Sequence, residues 1–124
     1  MPGMALDIVI VDDDPNFIAA ARLLLEAEGF RVVGEANTGD EGFTTASELR
    51  PDLVLLDVHL PDTDGFAVAE RLNALASPPP VVLTSSRDGS DFGSLIESSG
   101  ARAFIPKGEI SGAALAAVVS RTAP

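Results

Sequence analysis

Four short apolar runs in this chain each end on a polar side chain that can take part in metal or phosphate chemistry. The runs are rich in Val, Leu and Ile, and they stop at Asp12, Asp57, Thr84 and Lys107. Buried strands of a parallel sheet have this composition, and their carboxyl ends meet at one edge of the sheet. The pattern therefore predicts one crevice that is lined by carboxylates, a hydroxyl and an ammonium group.

Segments of helical character alternate with apolar runs along the whole chain. The pattern predicts strands near residues 7–12, 31–36, 52–57, 80–85 and 101–106, and helices near residues 15–28, 39–49, 65–75, 91–99 and 111–121. This alternation is typical of right-handed β-α-β units. We predict an α/β fold, a flavodoxin-like doubly wound (βα)5 three-layer sandwich whose parallel five-stranded sheet has the order 2-1-3-4-5.

Length and composition narrow the class of protein. The 124 residues, 46% of them hydrophobic, indicate a single folded domain over 1–124 rather than a disordered chain. No apolar stretch approaches the roughly 20 residues that span a bilayer, and the first residues lack the basic region of a signal peptide, so we expect a cytoplasmic protein without membrane contact. The net charge of −11 argues against direct binding of nucleic acid by this domain.

The carboxylates near the first and third strands indicate a metal site. The predicted strand order makes these strands neighbours, which brings Asp12 and Asp13 close to Asp57. Their mutual repulsion is costly unless a cation offsets it, and Mg²⁺ prefers such oxygen ligands. Capping of the first helix is an alternative explanation for the acidic run, and we assign Asp14 to that role because Pro15 follows it. Capping does not explain Asp57.

Asp57 is the best candidate for the reacting group. A carboxylate can attack phosphorus and form a transient acyl phosphate, and phosphoryl transfer otherwise needs positioning and charge neutralisation. We expect Lys107 to pair with Asp57 in the empty site and with phosphate oxygens in the filled one. Thr84 is expected to donate its hydroxyl to another phosphate oxygen. Taken singly, Lys107 and Thr84 are also explained as an exposed loop lysine and a β-branched residue that ends a strand.

Two further side chains near these strand ends admit more than one interpretation. His59 is the only histidine, and we interpret it as a solvent-facing loop residue rather than a metal ligand, because Mg²⁺ prefers oxygen. Phe104 lies on the last predicted strand, where it is either a core residue or a ring at the sheet edge that can be buried or exposed. Periodicity does not separate these alternatives.

Four segments of the chain resemble the receiver domain of two-component response regulators, over roughly Leu6 to Arg121. Val11–Pro15 is similar to the acidic pair that follows strand 1 in that family, and Leu55–Gly65 is similar to its phosphoacceptor strand and loop. Leu83–Ser85 is similar to its switch hydroxyl, and Phe104–Lys107 to its switch aromatic and lysine. A lone pair of Asp residues is a weak signal, but elements in this order are specific. The resemblance implies the fold predicted above.

The resemblance also implies a function. A phosphohistidine on a sensor histidine kinase or phosphotransfer protein would phosphorylate Asp57. Mg²⁺ (or Mn²⁺) would be held by Asp13, Asp57 and the backbone carbonyl of His59, with Asp12 acting through water. Such a domain is a phosphoacceptor, and it catalyses only its own phosphoryl transfer and autodephosphorylation.

A conformational response is implied in the same way. The phosphate would draw Thr84 inward, Phe104 would change rotamer, and the face formed by helix 4, strand 5 and helix 5 would be remodelled to control an output partner. The resemblance further implies a homodimer through that face or through helices 1 and 5.

Two features depart from the family pattern or bear on its kinetics. Gly108 follows Lys107 where many members have proline, which predicts a more mobile loop over 107–110 and a different partner face. His59 and Ser86 occupy positions that modulate the rate of dephosphorylation in this family, so the lifetime of the acyl phosphate is open.

Two other classes of protein share some of these residue patterns. The first class is the metal-dependent phosphatases with an aspartyl nucleophile, which carry an Asp-x-Asp-x-Thr/Val motif at the first strand. Residues 12–16 do not supply that motif, and no cap domain is available to close over a substrate. The second class is a flavodoxin-like cofactor-binding module. Asp57–Asp62 nearly matches the Asp-x-His-x-x-Gly element of cobalamin-binding domains, but Asp62 replaces the glycine. A flavin-binding module is not supported either, because no Gly-rich loop follows strand 1 to hold the flavin phosphate. The chain ends at Pro124 without a DNA-binding segment, so we expect either a stand-alone receiver or a part of a longer regulator.

Overall fold

The computed structural model describes residues 5–86 and 92–120, and its five strands form one parallel sheet in the order β2-β1-β3-β4-β5. The strands are β1 (Asp7–Val11), β2 (Arg31–Ala36), β3 (Leu53–Asp57), β4 (Val81–Thr84) and β5 (Ala103–Phe104). The helices are α1 (Pro15–Ala27), α2 (Gly39–Leu49), α3 (Gly65–Asn73), α4 (Leu95–Ser98) and α5 (Gly112–Ser120). The predicted doubly wound fold and strand order are confirmed.

The sheet is buried on both faces, which explains the unbroken apolar runs of its central strands. Alternate side chains of β1 and β3, such as Ile8 and Leu53, pack with α1 and α5 on one face. Their neighbours Val9 and Val54 pack with α2 and α3 on the other. Each fully buried side chain of this size contributes about 1.5–3 kcal/mol. The polar residues that end these strands are therefore presented by a rigid scaffold.

Side-chain caps begin the first three helices at the edge where the strands end. Asp14 accepts a hydrogen bond from the Asn16 amide (2.9 Å) and caps α1, as predicted. Thr38 accepts from the Glu41 amide (3.1 Å) at the start of α2. Asp64 caps α3 by accepting a hydrogen bond from the Ala67 amide (2.9 Å). These caps satisfy amides that have no partner within the helix.

The last strand and the fourth helix are shorter than predicted. β5 lies at the edge of the sheet and Pro106 lacks an amide donor, so the regular strand covers Ala103–Phe104 only, although the Ile105 amide continues the pairing with β4 (2.9 Å). The α-helical part of α4 begins at Leu95, because Gly93 adopts φ +57°, which an α-helix does not accommodate.

The other predicted bounds match the structure or differ from it by one or two residues. α3 ends at Asn73 instead of residue 75. The predicted start of helix 4 at residue 91 and the predicted end of helix 5 at residue 121 lie outside the described residues. Among the residues that the structure describes, no helix is long and apolar enough to cross a bilayer.

Candidate functional site

The candidate site lies at the carboxyl edge of the sheet. Asp12 follows β1 directly, Asp57 is the last residue of β3, and Thr84 is the last residue of β4. Asp57 and Thr84 are register partners on adjacent strands. Lys107 follows β5, and its amide donates to the Ser85 carbonyl (2.9 Å), which fixes the lysine backbone beside β4. The structure thus brings together the strand-terminal residues that the sequence singled out.

Three carboxylates meet at this edge. Asp12, Asp13 and Asp57 each offer an oxygen, and these oxygens lie within 4.8 Å of one another. Asp12 is fully buried and Asp57 is 4% exposed, whereas Asp13 faces solvent. Buried carboxylates this close repel each other unless cations compensate them.

Lys107 supplies one compensating charge. Its Nζ lies 2.8 Å from Asp12 Oδ2 and 3.6 Å from Asp57 Oδ2, and it sits 4.5 Å from the centroid of the Phe17 ring. Burial lowers the pKa of Lys107, but the hydrogen bond with Asp12 and the negative charges around it outweigh this effect and raise the pKa above its usual value. The ammonium group is therefore charged at neutral pH and held between two acids and an aromatic face.

Asp57 titrates differently from an ordinary aspartate. Burial, followed by the charge of Asp12, raises the pKa of Asp57 from 3.8 to about 6, against the opposing effect of Lys107. The carboxylate is thus ionised at neutral pH but electrostatically strained, so added positive charge would relieve it. A perturbed carboxylate of this kind in a cleft is typical of a functional site.

The donor set fits a hard divalent cation. Asp12 Oδ1 accepts a hydrogen bond from the Asp14 amide (2.8 Å), whereas buried Asp12 Oδ2 is paired, among the described residues, with Lys107 alone. Three carboxylates against one ammonium leave net negative charge, and all the donors are oxygens. Mg²⁺ and Mn²⁺ accept ligands of this type, so the residues present fit the metal that the sequence predicted.

Thr84 and Phe104 occupy the opposite side of the site from Asp12. The Thr84 hydroxyl is buried and donates to the Ile105 carbonyl (2.6 Å), so it is engaged with β5. Phe104 is half-buried, and its ring lies 5.6 Å from that of Phe92, which in turn contacts Phe66. Phe104 is therefore an edge aromatic in a cluster of rings rather than a fully buried core residue.

The β3–α3 loop (residues 58–64) borders the carboxylates. Its ends are fixed by the Gly65 amide, which donates to the Val58 carbonyl (2.7 Å), and by an antiparallel bridge between His59 and Asp64. The His59 side chain is exposed, as predicted, and its ring lies 6.2 Å from Phe92. Ser86 is also exposed, and Gly108 lies in a 3-10 turn over Lys107–Glu109.

Two residues near the site were missed by sequence reasoning. Phe17 has the helical spacing of the core positions Ala21 and Leu25, which indicated only a core-facing ring and gave no sign of its contact with Lys107. Asp62 appeared only as a departure from a glycine-containing motif. It in fact accepts two backbone hydrogen bonds from the start of α2, and no local pattern signals a partner so far along the chain.

A family model described as the response regulator receiver domain matches residues 8–119. BvgA of Bordetella pertussis is 39% identical over 102 residues, which cover 82% of this chain and 49% of that protein. The DNA-binding response regulator MtrA of Mycolicibacterium smegmatis is 39% identical over 109 residues, which cover 86% of this chain and 46% of MtrA. This chain spans about half the length of these curated relatives.

The fold comparison agrees. The BeF3-activated N-terminal receiver domain of Klebsiella pneumoniae RstA aligns with a TM-score of 0.79 at 32% identity, covering 90% of this chain and 94% of that one.

Proposed function

This chain belongs to the family of response regulator receiver domains of two-component systems, and on that premise we propose that it accepts a phosphoryl group on Asp57 in a Mg²⁺-dependent reaction. One observation carries the proposal: the buried carboxylate of Asp57 lies at a strand end, with oxygens of two other acids within 4.8 Å and Lys107 Nζ at 3.6 Å. Such a group has the nucleophile and the positioned charge that phosphoryl transfer requires.

In the proposed reaction an Oδ atom of Asp57 attacks the phosphorus of a phosphohistidine. The new O–P bond forms an acyl phosphate while the P–N bond breaks, and its electron pair leaves on the imidazole nitrogen of the donor. Lys107 neutralises charge on the phosphoryl oxygens. Thr84 donates its hydroxyl to one of them after releasing the Ile105 carbonyl, to which it now donates.

Asp13, Asp57 and the backbone carbonyl of His59 are the proposed ligands of the cation, with Asp12 acting through water. When bound, Mg²⁺ supplies positive charge that offsets the charge on the transferred phosphoryl group. Three carboxylate oxygens of Asp12, Asp13 and Asp57 within 4.8 Å of one another, with Lys107 as the one cation that the described residues place beside them, support this assignment.

We propose a sensor histidine kinase or a phosphotransfer protein as the partner, because such a protein would carry the phosphohistidine donor. We assign the output to the face of α4, β5 and α5, where Thr84 and Phe104 would transmit the change, and dimerisation to that face or to α1 and α5. MtrA is a DNA-binding regulator about twice as long as this chain. Regulation of transcription is therefore the output to test in a longer protein that carries this domain.

The direct test is incubation with acetyl phosphate, with and without Mg²⁺, followed by mass spectrometry that locates the modified residue. We expect one phosphoryl group on Asp57, only in the presence of metal, and none on the Asp57→Asn variant. Asp64→Asn is the matched control, because asparagine can still cap α3. Labelling of another residue, or uptake without metal, would contradict the proposal. Repeated turnover of p-nitrophenyl phosphate would instead indicate a phosphatase.

A further inference from the structure

Asp62 joins the β3–α3 loop to the start of a different helix. Its Oδ1 accepts from the Gly39 amide (2.7 Å) and its Oδ2 from the Asp40 amide (3.0 Å), across 23 and 22 residues of sequence. These are the first two amides of α2, which have no partner within the helix. A carboxylate is favoured at this position by the helix dipole, and the two hydrogen bonds lower the pKa of Asp62.

The contact between α2 and this loop is tight. A Cβ atom built on Gly39 would clash with the Thr63 side chain of the loop and lie 2.9 Å from Val68 Cγ2 on α3, so a larger residue there would force these side chains to shift. An exposed ion pair between Asp40 and Arg71 (3.4 Å) adds a weaker link between α2 and α3. The start of α2 is therefore packed directly against the loop.

The ends of the β3–α3 loop are fixed by its own backbone, but its middle is not. The bridge between His59 and Asp64 and the hydrogen bond from Gly65 to Val58 hold the two ends together. Residues 60–63 lie beyond the bridge, and the hydrogen bonds of Asp62 tie them to α2. Asp62 is not one of the clustered carboxylates, so it does not compete for the cation.

Resting on the proposed function, we infer that Asp62 is a positioning residue that uses α2 to hold the β3–α3 loop in its metal-binding conformation. The proposed backbone ligand at His59 has no side-chain means of being oriented, so its direction depends on the loop. A preorganised loop binds the cation without a further cost of ordering. By linkage, bound cation stabilises the contact between Asp62 and α2 to the same extent.

Asp62→Ala and Thr38→Ala form a matched pair of variants. Both remove a side-chain acceptor from the first turn of α2, but the Thr38 hydroxyl accepts from the Glu41 amide of its own helix, whereas Asp62 links that helix to the loop. Mg²⁺ affinity is measured by NMR titration, and urea unfolding shows how far each variant is destabilised. We expect Asp62→Ala to weaken Mg²⁺ binding about ten-fold and Thr38→Ala to change it less than about two-fold. Asp62→Asn, which keeps one acceptor, should lie between alanine and wild type.

Amide exchange provides a readout that does not depend on phosphorylation. In the wild type, Mg²⁺ should slow hydrogen exchange at the Gly39 and Asp40 amides, and Asp62→Ala should abolish this slowing. Equal Mg²⁺ affinity in the Asp62→Ala and Thr38→Ala variants would overturn the inference while leaving the proposed function intact. Failure of the wild type to bind Mg²⁺ would overturn the proposed function itself.

Discussion

Lys107 is paired more closely with Asp12 than with the proposed phosphoacceptor, because its Nζ lies 2.8 Å from Asp12 Oδ2 and 3.6 Å from Asp57 Oδ2. The sequence led us to expect Asp57 as its partner in the empty site. The observed arrangement compensates the fully buried acid first. Burial and the charge of Asp12 still raise the pKa of Asp57 to about 6, so added positive charge from a cation would relieve this carboxylate.

Replacing Lys107 by methionine should destabilise the fold. The change removes the nearby positive charge from two buried carboxylates, which we expect to cost about 1–3 kcal/mol at pH 7, less than for a fully buried pair because Lys107 is partly exposed. The cost should shrink at pH 5, where Asp57 becomes protonated. Because the chain has no Trp or Tyr, unfolding in urea is followed by circular dichroism. Arg102→Met, which removes an exposed cation near the same strand, should have little effect.

The raised pKa of Asp57 predicts how stability depends on pH. The folded state holds this proton more tightly than the unfolded state, since the pKa rises from 3.8 to about 6. The stabilising contribution of protonated Asp57 is complete below about pH 4 and is lost as the pH rises through 6.

Asp57→Asn should therefore be more stable than wild type at pH 7.5 without metal, on the order of 1 kcal/mol after allowance for solvent screening. The difference should vanish near pH 4. Urea unfolding of both proteins across this range measures it. A gap that widened as the pH fell would contradict the assignment of the raised pKa to Asp57.

Mg²⁺ should stabilise the folded protein through the acidic cluster. A ligand that binds only the folded state adds about 2.7 kcal/mol at a concentration 100 times its Kd. Asp13→Asn should lose most of this gain, because it removes one of three clustered carboxylates. Asp14→Asn removes an equal charge next to it but can keep the cap of α1, so it should respond to Mg²⁺ like wild type. Equal responses from both variants would indicate general screening instead of a site.

Sequence reasoning was most successful where chemistry followed from topology. Once the apolar runs were interpreted as parallel strands, their carboxyl ends had to share one edge, and the clustering of Asp12, Asp13 and Asp57 followed without knowledge of any side-chain conformation. Strand length at the edge was less predictable. β5 pairs with one neighbouring strand, and Pro106, which has no amide donor, follows it. The hydrophobic pattern over 101–106 therefore predicted a longer regular strand than the structure has.

The missed features depend on geometry that a sequence pattern does not encode. The distances from Lys107 Nζ to Asp12 Oδ2 and to Asp57 Oδ2 differ by less than 1 Å. The three residues belong to the ends of three different strands, and a sequence pattern does not resolve so small a difference. Phe17 serves both the core and the lysine, and helical spacing reports only the first of these roles. Asp62 is bound by amides far away in sequence, and the partner could be identified only after α2 and the loop had been placed in space.

Phe17 should influence the proposed phosphoryl transfer through Lys107. Phe17→Leu keeps an apolar side chain but removes the aromatic face beneath the ammonium group, a contact worth about 0.5–1 kcal/mol. We expect phosphorylation by acetyl phosphate to slow about two- to five-fold. Phe43→Leu removes a similar contact away from the site, between the Phe43 ring and Arg71 of α3 (4.1 Å), and should leave the rate unchanged. Equal rates for the two variants would show that the ring does not position the lysine.

Thr84 should separate phosphorylation from the structural response to it. Its buried hydroxyl donates a hydrogen bond to the Ile105 carbonyl. Breaking that hydrogen bond costs about 0.5–1.5 kcal/mol, which a new hydrogen bond to a phosphoryl oxygen would offset. Thr84→Val keeps the shape but cannot make the exchange, so Asp57 should still be modified while NMR shifts at Phe104 and in α4 stay close to those of the unmodified protein. Thr84→Ser keeps the hydroxyl and should retain the shifts. A full response in Thr84→Val would contradict a role for this hydroxyl, because no donor would remain on that side chain to follow the phosphate.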